Sequence, residues 1–225
     1  MRISVIIPVL NEEKTIDGVI AVLRQNMPDE LLIVDGGSTD CTWKICTERG
    51  VTVLCSSLGR AAQMNFGAKH ATGDVLLFLH ADTRLPPTAF GDIRKGLEDP
   101  CCVGGRFDVK LDSSSRLLKM VGAMISLRSR VTKIATGDQA IFIRRDIFAA
   151  IGGYPEIPLM EDIALSRAMK RTGRIACLES CAITSARRWE AEGAWKTILK
   201  MWILKTLYLS GVSPLRLKRY YADTR

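Results

Sequence analysis

Residues 2–10, RISVIIPVL, are almost wholly aliphatic and do not alternate apolar with polar positions. Such a run suits a strand buried on both faces, as in a parallel sheet, with Pro8 at its end because proline has no N–H to give to a ladder. Residues 12–26 then follow a helical period, with Ile16, Val19, Ile20 and Leu23 on one face. Two more short apolar runs, 30–34 and 51–55, predict strands. They are separated by the turn Asp35-Gly36-Gly37-Ser38-Thr39-Asp40 and a helix through Arg49. A helix over 60–71 leads to a fourth strand, 74–79, ending in His80-Ala81-Asp82. Short strands alternating with helices predict an open α/β sheet, whose ligands bind beyond the carboxyl ends of the strands. Asn11, Asp35 and Asp82 lie at those ends, so their polar groups are expected to converge on one crevice.

The rhythm changes after residue 112. The pattern predicts a partly amphipathic helix over 116–130, with Leu117, Val121, Met124, Ile125 and Arg128 near one face. A strand is expected at 139–144, a turn at Gly152-Gly153, a helix over 161–171 and a strand at 174–178. A helix from about Glu192 to Leu209 is apolar around most of its circumference. On its wheel Lys196 and Lys200 lie together while Lys205 falls elsewhere. The expected division is one α/β domain over 1–190 and a helical extension over 191–225, packed on that domain, on a second subunit or on a membrane surface.

The 225 residues and 47% hydrophobic content suit one globular domain. No apolar run reaches the length of an ordinary spanning helix, and the N-terminus reads as a strand rather than a signal peptide. The net charge of +8 is unevenly spread: residues 1–112 carry 12 Lys+Arg against 15 Asp+Glu, and residues 113–225 carry 20 against 9. A basic rear half attracts phosphate on nucleotides, lipids or nucleic acid, but no nucleic-acid-binding motif accompanies it. Cys41, Cys46, Cys55, Cys101, Cys102, Cys177 and Cys181 include no CxxC pair. They predict reduced thiols in a cytoplasmic protein rather than a disulfide framework or a zinc site.

No GxGxxG follows the first strand and no GxxxxGKS/T is present, so any phosphate chemistry must rest on acids, arginines and a metal. Five segments occur in order: VIIPVLNEE (5–13), VDGGSTD (34–40), GRAAQMNFGAKHATGDVLLFLHADT (59–83), GDQAIFIRR (137–145) and MEDIALSRAMKRTGR (160–174). Together they resemble family-2 glycosyltransferases of the GT-A fold, and are similar to the bacterial subgroup described as radical-SAM/selenodomain-associated transferases. The resemblance implies a nucleotide-diphosphate sugar donor and Mn2+ or Mg2+. It places Pro8, Leu10, Asn11 and Glu12 in the nucleoside pocket and Asp35 on the nucleobase, although Asp-Gly also favours turns. It maps the DXD motif to His80-Ala81-Asp82, with Asp82 as metal ligand; His80 replaces the usual first Asp, leaving the metal site one carboxylate poorer. Arg60 falls near the diphosphate, and Asn65 matches an Asn of the same helix.

The resemblance further makes Asp162, then Glu161, the base that deprotonates an acceptor hydroxyl in an inverting displacement. Two acids in a helix's first turn also satisfy its dipole. Asp138, Arg187, Arg188 and Trp189 match segments that face the acceptor or the diphosphate. The implied acceptor is a hydroxyl or a lipid phosphate, with peripheral contact at the inner membrane face and a homodimer both compatible with the terminal helix. The rival readings are a nucleotidyltransferase, whose Gly-rich basic opening is replaced here by Asn11-Glu12-Glu13, and a non-catalytic nucleotide- or membrane-binding module.

Overall fold

A computed structural model describes residues 1–221. The first half runs β1 (Ile3–Val9), α1 (Ile16–Gln25), β2 (Glu30–Asp35), α2 (Thr42–Glu48), β3 (Thr52–Cys55), α3 (Arg60–His70) and β4 (Val75–Phe78). It continues with β5 (Thr83–Arg84), α4 (Ala89–Gly96), β6 (Cys102–Asp112), α5 (Arg116–Thr132), a 3-10 turn at Gly137–Gln139, β7 (Ile141–Arg144) and α6 (Arg145–Ala150). The last elements are α7 (Glu161–Thr172), β8 (Arg174–Ser185), α8 (Arg187–Glu192), α9 (Ala194–Leu209) and α10 (Pro214–Lys218).

One sheet has the order β3-β2-β1-β4-β7-β6-β8-β5. The four strands expected from the opening pattern are parallel neighbours. Beyond them the sheet is mixed: β7 runs antiparallel to both β4 and β6, while β6 and β8 pair in parallel. Two apolar layers cover it. Ile16, Ile20 and Leu23 of α1, Cys46 of α2 and Phe90 and Ile93 of α4 pack on one face. Met64 of α3, Phe148 of α6 and Leu165 and Met169 of α7 pack on the other. Helix α3 lies so close to β1 that a Cβ on Gly67 would come within 2.6 Å of Ile6.

Proline in the middle of a sheet is explained by register. The Ile6 carbonyl accepts from Leu79 N–H, so even-numbered residues of β1 turn their backbone groups toward β4. Pro8 is next in that series and lies past the last β1–β4 pair, Ile6 with Phe78, so its missing N–H breaks no ladder bond.

Helix α1 starts at Ile16, four residues later than its periodicity predicts. The backbone of residues 11–13 is committed elsewhere: Asn11, Glu12 and Glu13 N–H groups donate to Ser38, Thr42 and Asp40 side chains. Strand β6 escapes the sequence pattern altogether. Its Gly104 and Gly105 are required by crowding, since a Cβ would sit 2.4 Å from the Phe142 and Ala176 carbonyls respectively. Its buried Arg106 pairs with Asp108 and donates to the Ser126 carbonyl. All seven cysteines are free thiols.

Helix α9 packs through Leu204 on Met160 and Ile163 at the start of α7, joined by Leu217 of α10. Its Trp195, Leu199 and Trp202 are exposed, as are Met124, Leu127 and Val131 of α5. Among the described residues no helix is long and apolar enough to cross a membrane.

Candidate active site

The carboxyl ends of β1, β2 and β4 carry the converging polar groups. Asn11 takes a left-handed backbone (φ 54°), a conformation Asn tolerates better than most residues. Its side-chain oxygen accepts from Thr39 N–H at 2.8 Å, tying the loop after β1 to the loop after β2. Asp35 is buried, and both its oxygens accept from Ser38 N–H at 3.1 Å while Ser38 Oγ donates at 2.5 Å. Its carboxylate therefore shapes its own turn. Pro8 and Leu10 are partly exposed at the same edge. Gln63 of α3 holds this edge together: its buried Nε2 donates to the Val9 and Val34 carbonyls, both at 2.8 Å.

Arg187 spans two strand ends. Its Nη2 lies 3.5 Å from Glu12 Oε2 and 3.4 Å from Asp82 Oδ2. The neighbouring Arg188 stacks on the Tyr221 ring at 4.5 Å, and its charge reaches Asp138. Trp189 packs against the Leu111–Leu118–Val121–Ala186 cluster. The three consecutive residues thus face three different surroundings.

Deeper in the crevice a small pocket is walled by Met64, Phe78, Ile141 and Tyr154, with Arg60, His80, Glu161 and Asp162 as its polar groups. Arg60 Nη1 sits 3.6 Å from Glu161 Oε1, and His80 Nδ1 sits 3.4 Å from Asp138 Oδ1. Gly137 makes this possible, because a Cβ there would lie 2.5 Å from His80 Nε2. The turn presenting Asp138 is capped by Thr136 and Gln139, and buried Gln139 also donates to the Phe107 carbonyl.

Glu161 and Asp162 open α7 behind Met160, a buried non-glycine residue at φ 69°. Backbone strain of this kind concentrates at functional sites. Asp162 Oδ2 accepts from Gly137 N–H at 2.7 Å and Oδ1 from Ile163 N–H at 2.7 Å. Burial, then the Glu161 charge, push the Asp162 carboxyl up to about 6 against these hydrogen bonds and Arg60. Burial also acts on Asp138, but the His80 hydrogen bond and charge, with Arg60 and Arg188, outweigh it and hold that carboxyl below its usual range. Burial opposes the charge on Arg60, and Glu161, Asp138, Asp162 and Asp82 more than restore it.

Asn65 is engaged by the backbone of Tyr154. It clamps the turn before the pocket, donating to the Tyr154 carbonyl at 2.8 Å and accepting from Tyr154 N–H at 2.9 Å. Tyr154, a pocket wall the pattern does not single out, packs edge-on to Phe78 with centroids 4.9 Å apart. Burial pushes its phenol well above the ordinary value. Among the described residues no cluster of three or more His, Cys, Asp or Glu side chains could hold a metal alone.

The chain and its fold have counterparts among known proteins. Residues 4–152 match the model of Glycosyl transferase family 2. Undecaprenyl-phosphate 4-deoxy-4-formamido-L-arabinose transferase of Klebsiella pneumoniae is 31% identical over 160 residues, 64% of this chain and 48% of that protein. The enzyme of the same name from Pectobacterium carotovorum is 34% identical over 99 residues, 38% of this chain and 30% of that one. The chain thus spans half or less of these curated relatives. Glucosyl-3-phosphoglycerate synthase from Mycobacterium tuberculosis, solved with Mn2+, UDP and glucosyl-3-phosphoglycerate, superposes with a TM-score of 0.66 at 21% identity, covering 92% of this chain and 79% of that one. A mannosyltransferase from Pyrobaculum calidifontis, solved with GDP-Man and Mn2+, gives 0.64 at 20% identity over 81% of this chain and 56% of its own. At such identities the likeness is one of fold, and the fold agrees with the family model. With two thirds of its length matched by that model, the chain belongs to glycosyl transferase family 2.

Proposed function

We propose that the protein transfers a sugar from a nucleotide-diphosphate donor to an acceptor hydroxyl or lipid phosphate, with inversion at the anomeric carbon. The observation carrying this reading is the pocket in which Asp162 stands beside the Arg60–Glu161 and His80–Asp138 pairs, at the carboxyl edge of the sheet. Asp162 is the base. A carboxyl titrating near 6 is mostly ionised at neutral pH yet basic enough to take the hydroxyl proton as the new C–O bond forms and the bond to the diphosphate breaks. Arg60 and Arg187 are the cations placed to receive charge on the leaving diphosphate, since a guanidinium fork matches its oxygens. Pro8, Leu10, Asn11 and Glu12 line the nucleoside end, and Asp35 orients the turn there and reads the base.

A divalent ion would be held here through Asp82. Asp82 would supply one hard carboxylate, partly exposed and paired with Arg187, and His80 lies two residues away in the sequence. Mn2+ or Mg2+ held there would supply neutralisation of charge on a diphosphate. Calorimetry with UDP and GDP, each with and without Mn2+, tests the reading: micromolar, metal-dependent binding of one nucleotide is expected. Absence of binding by either would refute it.

A further inference from the structure

Two cations beside Asp162 are left over by this mechanism. Arg128 lies on α5 between Ser126, whose Oγ accepts from Val109 N–H at 3.0 Å, and Ser129, whose Oγ accepts from Gln139 Nε2 at 2.8 Å. These bonds press that face of α5 against β6 and against the turn that carries Asp138. The Nε and Nη2 atoms of Arg128 are shut off from solvent and make no hydrogen bond among the described residues. Arg106 and Arg130 both pair with Asp108, and Arg106 Nε is likewise buried without a hydrogen bond among the described residues. Lys205 is the lysine that falls off the basic stripe of α9. Its neighbour Leu204 packs on Ile163 in the first turn of α7, and Lys205 itself feels the charges of Arg128 and Asp162. Lys205 has no ion pair or hydrogen bond among the described residues. Buried guanidinium nitrogens without hydrogen-bond partners cost free energy, and each such group calls for an explanation.

We infer that Arg128 and Lys205 form an oxyanion site on the acceptor side of Asp162, recognising a phosphate group on the acceptor. Charges support the placement. Burial lowers the Arg128 guanidinium, and the nearby Asp162 and Asp138 do not restore it. Burial and the Arg128 charge push Lys205 down to about 8. A phosphate would satisfy the two orphaned nitrogens bidentately and relieve the repulsion between the two cations. The inference rests on the transferase reading for the word acceptor, but not for the anion site itself. The phosphate can come from a prenyl phosphate or from a soluble phosphomonoester.

The test is thermal-shift and calorimetric titration of the whole chain with inorganic phosphate, farnesyl phosphate and 3-phosphoglycerate. The variants are Arg128→Met, Lys205→Met and Asp82→Asn. At least one phosphate is expected to bind wild type and to bind each of the first two variants at least 10-fold more weakly, while Asp82→Asn keeps that affinity. Nucleotide binding with Mn2+ is expected to follow the opposite pattern, weakened by Asp82→Asn and kept by Arg128→Met, so failure of the donor reading and failure of the anion site are read separately. Tighter binding of farnesyl phosphate than of 3-phosphoglycerate identifies a lipid source, and the reverse a soluble one. Because Arg128 Nε and Nη2 make no hydrogen bond among the described residues, Arg128→Met should melt no lower than wild type. The inference is overturned if no phosphate binds wild type, if both variants bind as well as wild type, or if Arg128→Met melts far below wild type and Lys205→Met binds unchanged.

Discussion

Replacing Glu161 by glutamine removes one negative charge from the first turn of α7 while keeping its shape. Asp162 is then expected to titrate lower. The displacement can be bounded: at roughly 6 Å and an effective dielectric near 20, two like charges repel by about 3 kcal/mol, or about 2 pH units. Arg60, 3.6 Å from Glu161, already offsets part of that field, and burial is the larger cause of the raised value. A fall of about 1 unit is therefore expected. The loss of Glu161 also leaves Arg60 without its partner, which moves Asp162 in the same direction. A general base works only when ionised, so wild-type turnover should climb with pH through about 6 and then level off. At pH 5 the wild type would retain about a tenth of its plateau and Glu161→Gln about half. Release of nucleoside diphosphate from UDP- and GDP-sugars, profiled from pH 4.5 to 8, reads the shape independently of the plateau height. An acid limb that stays in place or moves upward refutes the electrostatic argument. A Glu161→Gln plateau reduced about 1000-fold, with Asp162→Asn still active, would transfer the base role to Glu161.

Four further outcomes follow from particular contacts. Asp162→Asn should abolish turnover yet change stability in a defined sense: the wild-type carboxyl binds its proton more tightly when folded, so wild type loses stability relative to the variant as pH rises from about 4 to about 6. Paired melting curves across that range check the sign. Gln63→Leu strips hydrogen bonds from the buried Val9 and Val34 carbonyls and should cost about 2–3 kcal/mol in urea unfolding, with a loss under about 0.5 kcal/mol refuting the role. Gly137→Ala drives a methyl into the His80 ring and should weaken nucleotide binding about 10-fold or more in calorimetry with little loss of secondary structure by circular dichroism. His80→Asp adds a hard ligand beside Asp82 and should tighten Mn2+-dependent nucleotide binding; unchanged affinity would mean that residue 80 does not face the metal.

The alternation of short apolar runs with helical periods predicts β1 to β4, their parallel pairing and an edge that carries Asn11, Asp35 and Asp82. Each of those elements carries its own period, and handed crossovers leave little choice of arrangement. The motifs also marked Glu161, Asp162, Asp138 and Arg187. Other features depend on contacts between distant residues. Strand β6 carries two glycines and a buried Arg106, and it is a strand because β7 and β8 flank it. Asn65 reads as a helix residue of unknown direction until Tyr154 arrives 89 residues later to be clamped. The sequence pattern puts Arg128 near the apolar face of its helix and Lys205 away from Lys196 and Lys200, and neither position marks a site. Only the docking of α9 on α7, and of α5 on β6, turns them inward beside Asp162. Local periodicity specifies elements because it depends on the next few side chains. The electrostatics of a site depend on which elements share its walls, and that is decided by tertiary packing.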